Sequence, residues 1–249
     1  MLKILLLILS FLFMLLMNGL ANGLPLNGKT TGQLSDQYPN LFVPAGITFS
    51  IWGIIYLLLL IFIIQKGVEI LKNRNSTISF LVILNFILNG LWIVSWHYEF
   101  LIVSLLIMFS LLGTLVLFNY SLYLKKGSFI EKAAFGIYFG WICVATIANF
   151  TAVLVHFKWA AFGISESIWT MLMIIVGAMI GSFATYTLRN PYIALVIIWA
   201  FFGIYLKRST DEIPILDIFY SIYFGTALLF SIFVLTIKKL IFKNEKLTF

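Results

Sequence analysis

The side chains of this chain best placed to do chemistry are indoles and amides, not acids, bases or nucleophiles. Asn85, Asn89, Trp92 and Trp96 follow one another at separations of four, three and four residues, so a helix carries them as one stripe. Trp52 and Tyr56 stack one turn apart just after the turn Pro44-Ala45-Gly46. Trp141, Ala145 and Asn149 repeat the four-residue spacing, with Ala148 beside them. An indole presents an apolar face and one N–H donor, and an amide presents both donors and an acceptor. Together they could form a pocket wall that offers amides to a ligand carbonyl or carboxylate. HExxH, CxxC, GxSxG and phosphate-loop patterns are missing, and two His, one Cys and scattered carboxylates form no metal-ligand spacing. No catalytic residue and no metal site is expected.

Each group also has a plainer reading. Asn85 and Asn89 serve equally as hydrogen-bonding glue between apolar helices. Trp52 and Tyr56 serve equally as deep packing, and Trp159, Tyr98 and Tyr192 as anchors at span ends. His97, Glu99, His156 and Glu166 fall at span ends on one side, where a water boundary and an ion path compete as explanations. Cys143 reads as a small packing residue.

The elements that must position these groups are membrane spans. The chain is 62% hydrophobic and 10% charged, with a mean hydropathy of +1.09, whereas soluble domains are about 25% charged. Apolar runs that can cross the hydrocarbon core recur near residues 4–22, 45–65, 77–96, 101–124, 132–155, 165–187, 191–206 and 214–241. Backbone groups in lipid must be satisfied within each span, so the expected class is an all-α membrane protein of about eight helices. The seventh span is short and opens at Asn190-Pro191. Residues 1–22 also have the layout of a signal peptide, with Lys3, an apolar stretch and Gly19-Leu20-Ala21; on that alternative seven spans remain.

Of the sixteen Lys and Arg, twelve lie at the termini and even-numbered loops (Lys3, Lys66, Lys72, Arg74, Lys125, Lys126, Lys132, Arg189, Lys238, Lys239, Lys243, Lys246). Four (Lys29, Lys158, Lys207, Arg208) lie in odd-numbered loops. That asymmetry places both termini in the cytoplasm. It also assigns the net charge of +7 to membrane anchoring, which leaves no argument for a nucleic-acid partner.

Three segments, in order, resemble the translocator protein family (TspO/MBR, the tryptophan-rich sensory proteins). Pro44 through Tyr56 is similar to the family's PPGxxFxxxWxxLY second helix. Leu84-Asn85 through Asn89 and Trp92 is similar to LNxxxNxxW in its third. Tyr138, Trp141, Ala145-Thr146 and Asn149 are similar to PYxxWxxxATxxN in its fifth. The resemblance spans residues 1–155 and implies a five-helix bundle with a cavity beneath the first loop; residues 156–249 then form three additional helices without a counterpart. It implies hydrophobic planar ligands such as porphyrins or sterol-like lipids. It also implies that Trp52, Asn85, Asn89, Trp141, Ala145 and Asn149 line or support the cavity. Tyr56 and Trp92 stand in the same motifs and complete the candidate ligand-binding set.

The departures are Ala45 for the second proline of the pair, Ile137 for a helix-opening proline, and the absence of WYxxLxKP from the first loop. That loop carries Tyr38-Pro39 and the polar run Asn27–Asp36 instead. The expected function is binding, sensing or transport of a hydrophobic planar ligand. A secondary transporter, an assembly factor and a tetrapyrrole-degrading enzyme are the alternatives. No cofactor signature is present, and a tetrapyrrole enters only as the implied ligand. Expected partners are membrane lipids and that small molecule, with a homodimer left open, and the expected location is a prokaryotic plasma membrane.

Overall fold

The computed structural model describes residues 2–24, 26–72 and 78–245; Arg74 and Lys246 of the charge count, and the side chain of Lys243, lie outside what it describes. Among the described residues every regular element is helical. In chain order they are α1 (Leu2–Gly23), the short α2 (Thr31–Asp36), α3 (Ile51–Leu71), α4 (Phe80–His97), α5 (Leu101–Lys125), α6 (Phe129–His156), α7 (Glu166–Leu188), α8 (Tyr192–Arg208) and α9 (Leu216–Glu245). Seven of these helices are long and apolar enough to cross a membrane.

Local sequence sets the helix ends. Thr30 and Ser128 each cap a helix and exchange hydrogen bonds with Gln33 and Glu131 three residues on, a capping box in both cases. Ser79 and Ser165 cap α4 and α7 through their hydroxyls. Lys126 and Arg189 end α5 and α7 in the left-handed conformation, with φ of 52° and 49°. Two ends differ from the sequence reading. The turn at Pro44-Ala45-Gly46 leads first into a 3-10 segment, Gly46–Ser50, and only then into α3. That helix also runs past Lys66 to Leu71, because Lys66 is paired with Glu69 (3.1 Å) and with Glu131 of α6 (3.0 Å) and does not have to leave the bundle.

In the bundle, α4 lies between α1 and α5, and α6 carries α3, α5 and α8 on its faces. The pair α7 and α9 closes over α8. Of the spans, α6 is the most buried, 61% against 28% for α9. With 17 residues, α8 is about 25 Å long, shorter than the roughly 30 Å hydrocarbon core. Its Ile193, Ala194, Ile197, Ala200, Phe201 and Ile204 have no exposed surface, so most of its faces are covered by neighbouring helices and only a stripe with Leu195 and Phe202 stays exposed.

Residues after 155 are therefore tightly joined to those before. A side chain at Gly140 of α6 would come within 2.7 Å of the Ile193 carbonyl of α8, and one at Gly136 would run into the Asn190 side chain, so both glycines permit close approach. Asn190 donates to Asn119 Oδ1 (3.2 Å) and to the Lys132 carbonyl (3.0 Å), tying the α7–α8 turn to α5 and α6. At the other end α8 receives the start of α3. Ala45 N–H donates to the Gly203 carbonyl (2.9 Å) and Trp199 Nε1 to the Thr48 carbonyl (3.0 Å). No side chain fits at Gly203, because Thr48 occupies that space.

Candidate ligand-binding site

The start of α3 is thus held rigidly, and it presents Phe49 and Trp52 to α6. Trp52 packs edge-on against Trp141 at 6.3 Å and Tyr138 at 5.9 Å, and stacks on Tyr56 at 5.5 Å with 21° between the planes. Phe49 meets Trp141 edge-on at 5.7 Å. From α4, Trp92 and Trp96 stack on each other at 6.2 Å. These rings surround a cavity of about 60 Å³, closed by Thr31, Ser35 and Pro44 from the loop and by Ala145, Ala148 and Asn149 from α6. The small residues of α6 leave the space that the large ones frame.

The electrostatic character of this cavity is set by unanswered donors. The indole N–H groups of Trp92, Trp96 and Trp141 are buried and have no hydrogen-bond partner. All three residues line the cavity. A buried donor without an acceptor costs about 1–3 kcal/mol. The one amide in the lining, Asn149, is already engaged with Ser104 of α5, donating to its Oγ at 3.1 Å. Three residues of the cavity lining thus carry an indole donor without a partner among the described residues, while the amide beside them is already bonded.

A second space adjoins the first. A cleft of about 580 Å³ between α1 and α3 is lined by Asn18, Asn22, Trp52 and Tyr56 among others, and shares Thr31, Phe49 and Trp52 with the smaller cavity. The smaller cavity has room for a few waters, whereas the larger is within the usual range of about 300–1,000 Å³ for ligand sites.

The structure thus brings together Trp52, Trp92, Trp141, Ala145 and Asn149 around one cavity, and places Tyr56 with Trp52 on the adjoining cleft. Asn85 and Asn89 line neither. Asn85 donates to Thr114 Oγ1 (2.7 Å) and the Leu111 carbonyl (3.3 Å) of α5, while its Oδ1 is unpartnered. Asn89 donates to Tyr138 OH of α6 (2.8 Å) and accepts from Asn18 Nδ2 of α1 (2.8 Å). These amides join helices. Residues outside the sequence-derived set are Trp96, Phe49, Thr31 and Asn18. Trp96 was legible as the last member of the α4 stripe, whereas Thr31 and Asn18 carry no spacing signal.

The first loop is latched over this region. His97 is buried, and its Nδ1 lies 3.1 Å from the Leu26 carbonyl. A carbonyl only accepts, so Nδ1 carries the proton and Nε2 of the neutral ring accepts from Thr31 Oγ1 at 3.1 Å. Asn27 Nδ2 donates to the His97 carbonyl at 3.0 Å. Glu99 turns the chain between α4 and α5 with φ of 59° and accepts from Tyr38 OH at 3.0 Å, with Lys29 Nζ at 3.4 Å. Lys207 at the end of α8 pairs with Asp36 of α2 at 2.7 Å. Burial, then the Glu99 carboxylate, pushes the Tyr38 phenol up to about 12. His97 and Glu99 therefore hold the loop, which accounts for their position at span ends without an ion path.

Among the described residues no group of His, Cys, Asp and Glu is placed to hold a metal ion. Neither curated proteins nor solved structures give a match to the chain. A family model described as TSPO-like protein does, over residues 3–235, so that the match takes in the three helices after residue 155 as well as the bundle before it. This multi-pass membrane protein belongs to the TSPO-like family.

Proposed function

We propose that the protein binds a hydrophobic planar ligand bearing acceptor atoms on one edge, with a carboxylate-bearing tetrapyrrole as the representative of that class. The observation that carries this reading is the trio of unpartnered indole N–H groups around one small cavity. No described residue answers them, and a ligand carbonyl or carboxylate would. The flat body of the ligand lies in the wider cleft against the stacked Trp52–Tyr56 pair, and its acceptor edge reaches past Trp52 toward Trp92, Trp96 and Trp141. Burial of apolar ligand area supplies most of the affinity, and the indole donors set orientation. The amides Asn85 and Asn89 act indirectly, by fixing α4 against α1, α5 and α6. The first five spans hold the ligand, and α8 buttresses the start of α3.

The test is quenching of tryptophan fluorescence by a dicarboxylate porphyrin in detergent. Trp52→Ala removes the platform shared by both spaces and is expected to weaken binding about tenfold or more. Asn85→Ala, away from both spaces, is expected to leave affinity within about twofold once folding is verified. Equal affinity in the wild type and Trp52→Ala would remove the proposed site.

A further inference from the structure

A third cavity, of about 350 Å³, lies at the loop end of the bundle, between the last turn of α6, the first turns of α7 and the loop segment Pro39–Phe42. It shares no lining residue with the cavity or the cleft described above. The connection Phe157–Ser165 joins two helices that each qualify as a membrane span, so this cavity opens at the level of the membrane surface. Trp159 and Trp169 form its corner, with ring centres 4.9 Å apart and planes at 68°. Glu166 stands one turn before Trp169 and so projects over the same side of α7. Lys158 enters the opposite rim from a left-handed backbone position, φ 50°. Below the rim the lining turns apolar, with Leu154 and Met173.

The Lys158 and Glu166 side chains are exposed, and neither forms an ion pair with a described residue. Tryptophans at a membrane surface commonly serve as anchors at the headgroup level; here Trp159 and Trp169 also wall a cavity whose lining includes one cation, Lys158, and one anion, Glu166. Indole faces next to a carboxylate attract an ammonium, and a lysine attracts a phosphate. The apolar floor suits an acyl chain. We propose that this cavity holds the headgroup of a phospholipid that carries an ammonium beyond its phosphate. The ammonium sits between Glu166 and the two indoles, the phosphate faces Lys158, and a chain descends along Leu154 and Met173.

Native mass spectrometry of the delipidated protein in detergent tests this, with phosphatidylethanolamine, phosphatidylcholine and phosphatidylglycerol of matched chains added in turn. At least one of the two ammonium lipids is expected to form adducts at about fivefold lower concentration than phosphatidylglycerol. Glu166→Gln, an exposed and fold-neutral change, is expected to bring all three lipids within about twofold of one another. Trp52→Ala, which breaks the other site, is expected to leave the preference intact. Equal binding of the three lipids by the wild type, or a preference that survives Glu166→Gln, overturns the proposal. So does full displacement of the lipid by an equal concentration of glycerophosphocholine, which would point to a small soluble ligand instead.

Discussion

The lower and upper halves of α4 carry polar groups on one stripe, and they have opposite fates. Asn89 is satisfied on both sides, by Tyr138 of α6 and Asn18 of α1. Trp92 and Trp96, one and two turns further on, are as deeply buried and have no partner for their N–H groups. Spacing alone makes the four residues equivalent. What separates them is the neighbour opposite. At the level of Asn89 that neighbour is a polar side chain on each flanking helix, whereas at Trp92 it is the aromatic and alanine wall of α6. The amide donors are thus spent on holding the bundle, with only Asn85 Oδ1 unpartnered, whereas the indole donors find no partner among the described residues.

The comparison breaks most visibly at Asn89. Asn89→Ala strands the Tyr138 hydroxyl and one N–H of Asn18, whose other bond goes to the Met14 carbonyl within α1, and each unsatisfied group costs about 1–3 kcal/mol. The expected result is a clear fall in thermal midpoint, followed by near-UV circular dichroism in detergent, with loosening of α1 from α4. A midpoint within a degree of wild type would show that the two 2.8 Å bonds of this amide do not tie the helices together.

Trp92→Phe asks the opposite question. It keeps an aromatic ring but removes the unanswered donor together with part of the indole's bulk, so no stability is expected to be lost through the N–H itself and any loss, about 1–3 kcal/mol, comes from the space left behind. Porphyrin affinity is expected to fall several-fold in the same variant. A variant that is destabilised while binding is unchanged would make Trp92 a packing residue and equate the two halves of α4.

How far the sequence foretold this division follows from the same residues. The all-helical membrane class and the clustering of Trp52, Trp141, Ala145 and Asn149 were legible, because hydropathy and four-residue spacing report directly on a helix and its faces; of the eight expected spans, seven are long and apolar enough to cross. The partners of Asn85 and Asn89 were not legible. They depend on Thr114, Asn18 and Tyr138, whose alignment is fixed by how far each helix slides along its neighbour, a quantity no single helix encodes. The burial of α8 was hidden for a related reason. A short apolar helix reads as a marginal span, and only the glycine at 140 and the turn at Asn190 show that α6 and the α7–α8 turn take it in. The third cavity was not legible because Trp159 alone reads as an interfacial anchor, and its nearness to Trp169 is set by the turn between α6 and α7.

The smallest effect concerns the loop, and it sharpens the comparison from the side of the lid. Tyr38 packs on Trp96 with ring centres 5.9 Å apart, and unlike Trp96 it has a partner for its polar tip, the Glu99 carboxylate. The folded phenol holds its proton to about 12 against an ordinary value of 10.0. Below pH 10 the phenol is protonated in both folded and unfolded chains, and its bond to Glu99 is fully present. As pH rises from 10 toward 12 the unfolded chain gives up the proton first, so the latch loses stability through that window. Ultraviolet titration of tyrosinate, comparing wild type with Tyr38→Phe, is expected to show one phenol ionising near pH 12 that the variant lacks. If the missing phenol instead ionises near pH 10, Tyr38 is solvated, the loop is not latched by Glu99, and the indoles beneath it are open to water rather than waiting for a ligand.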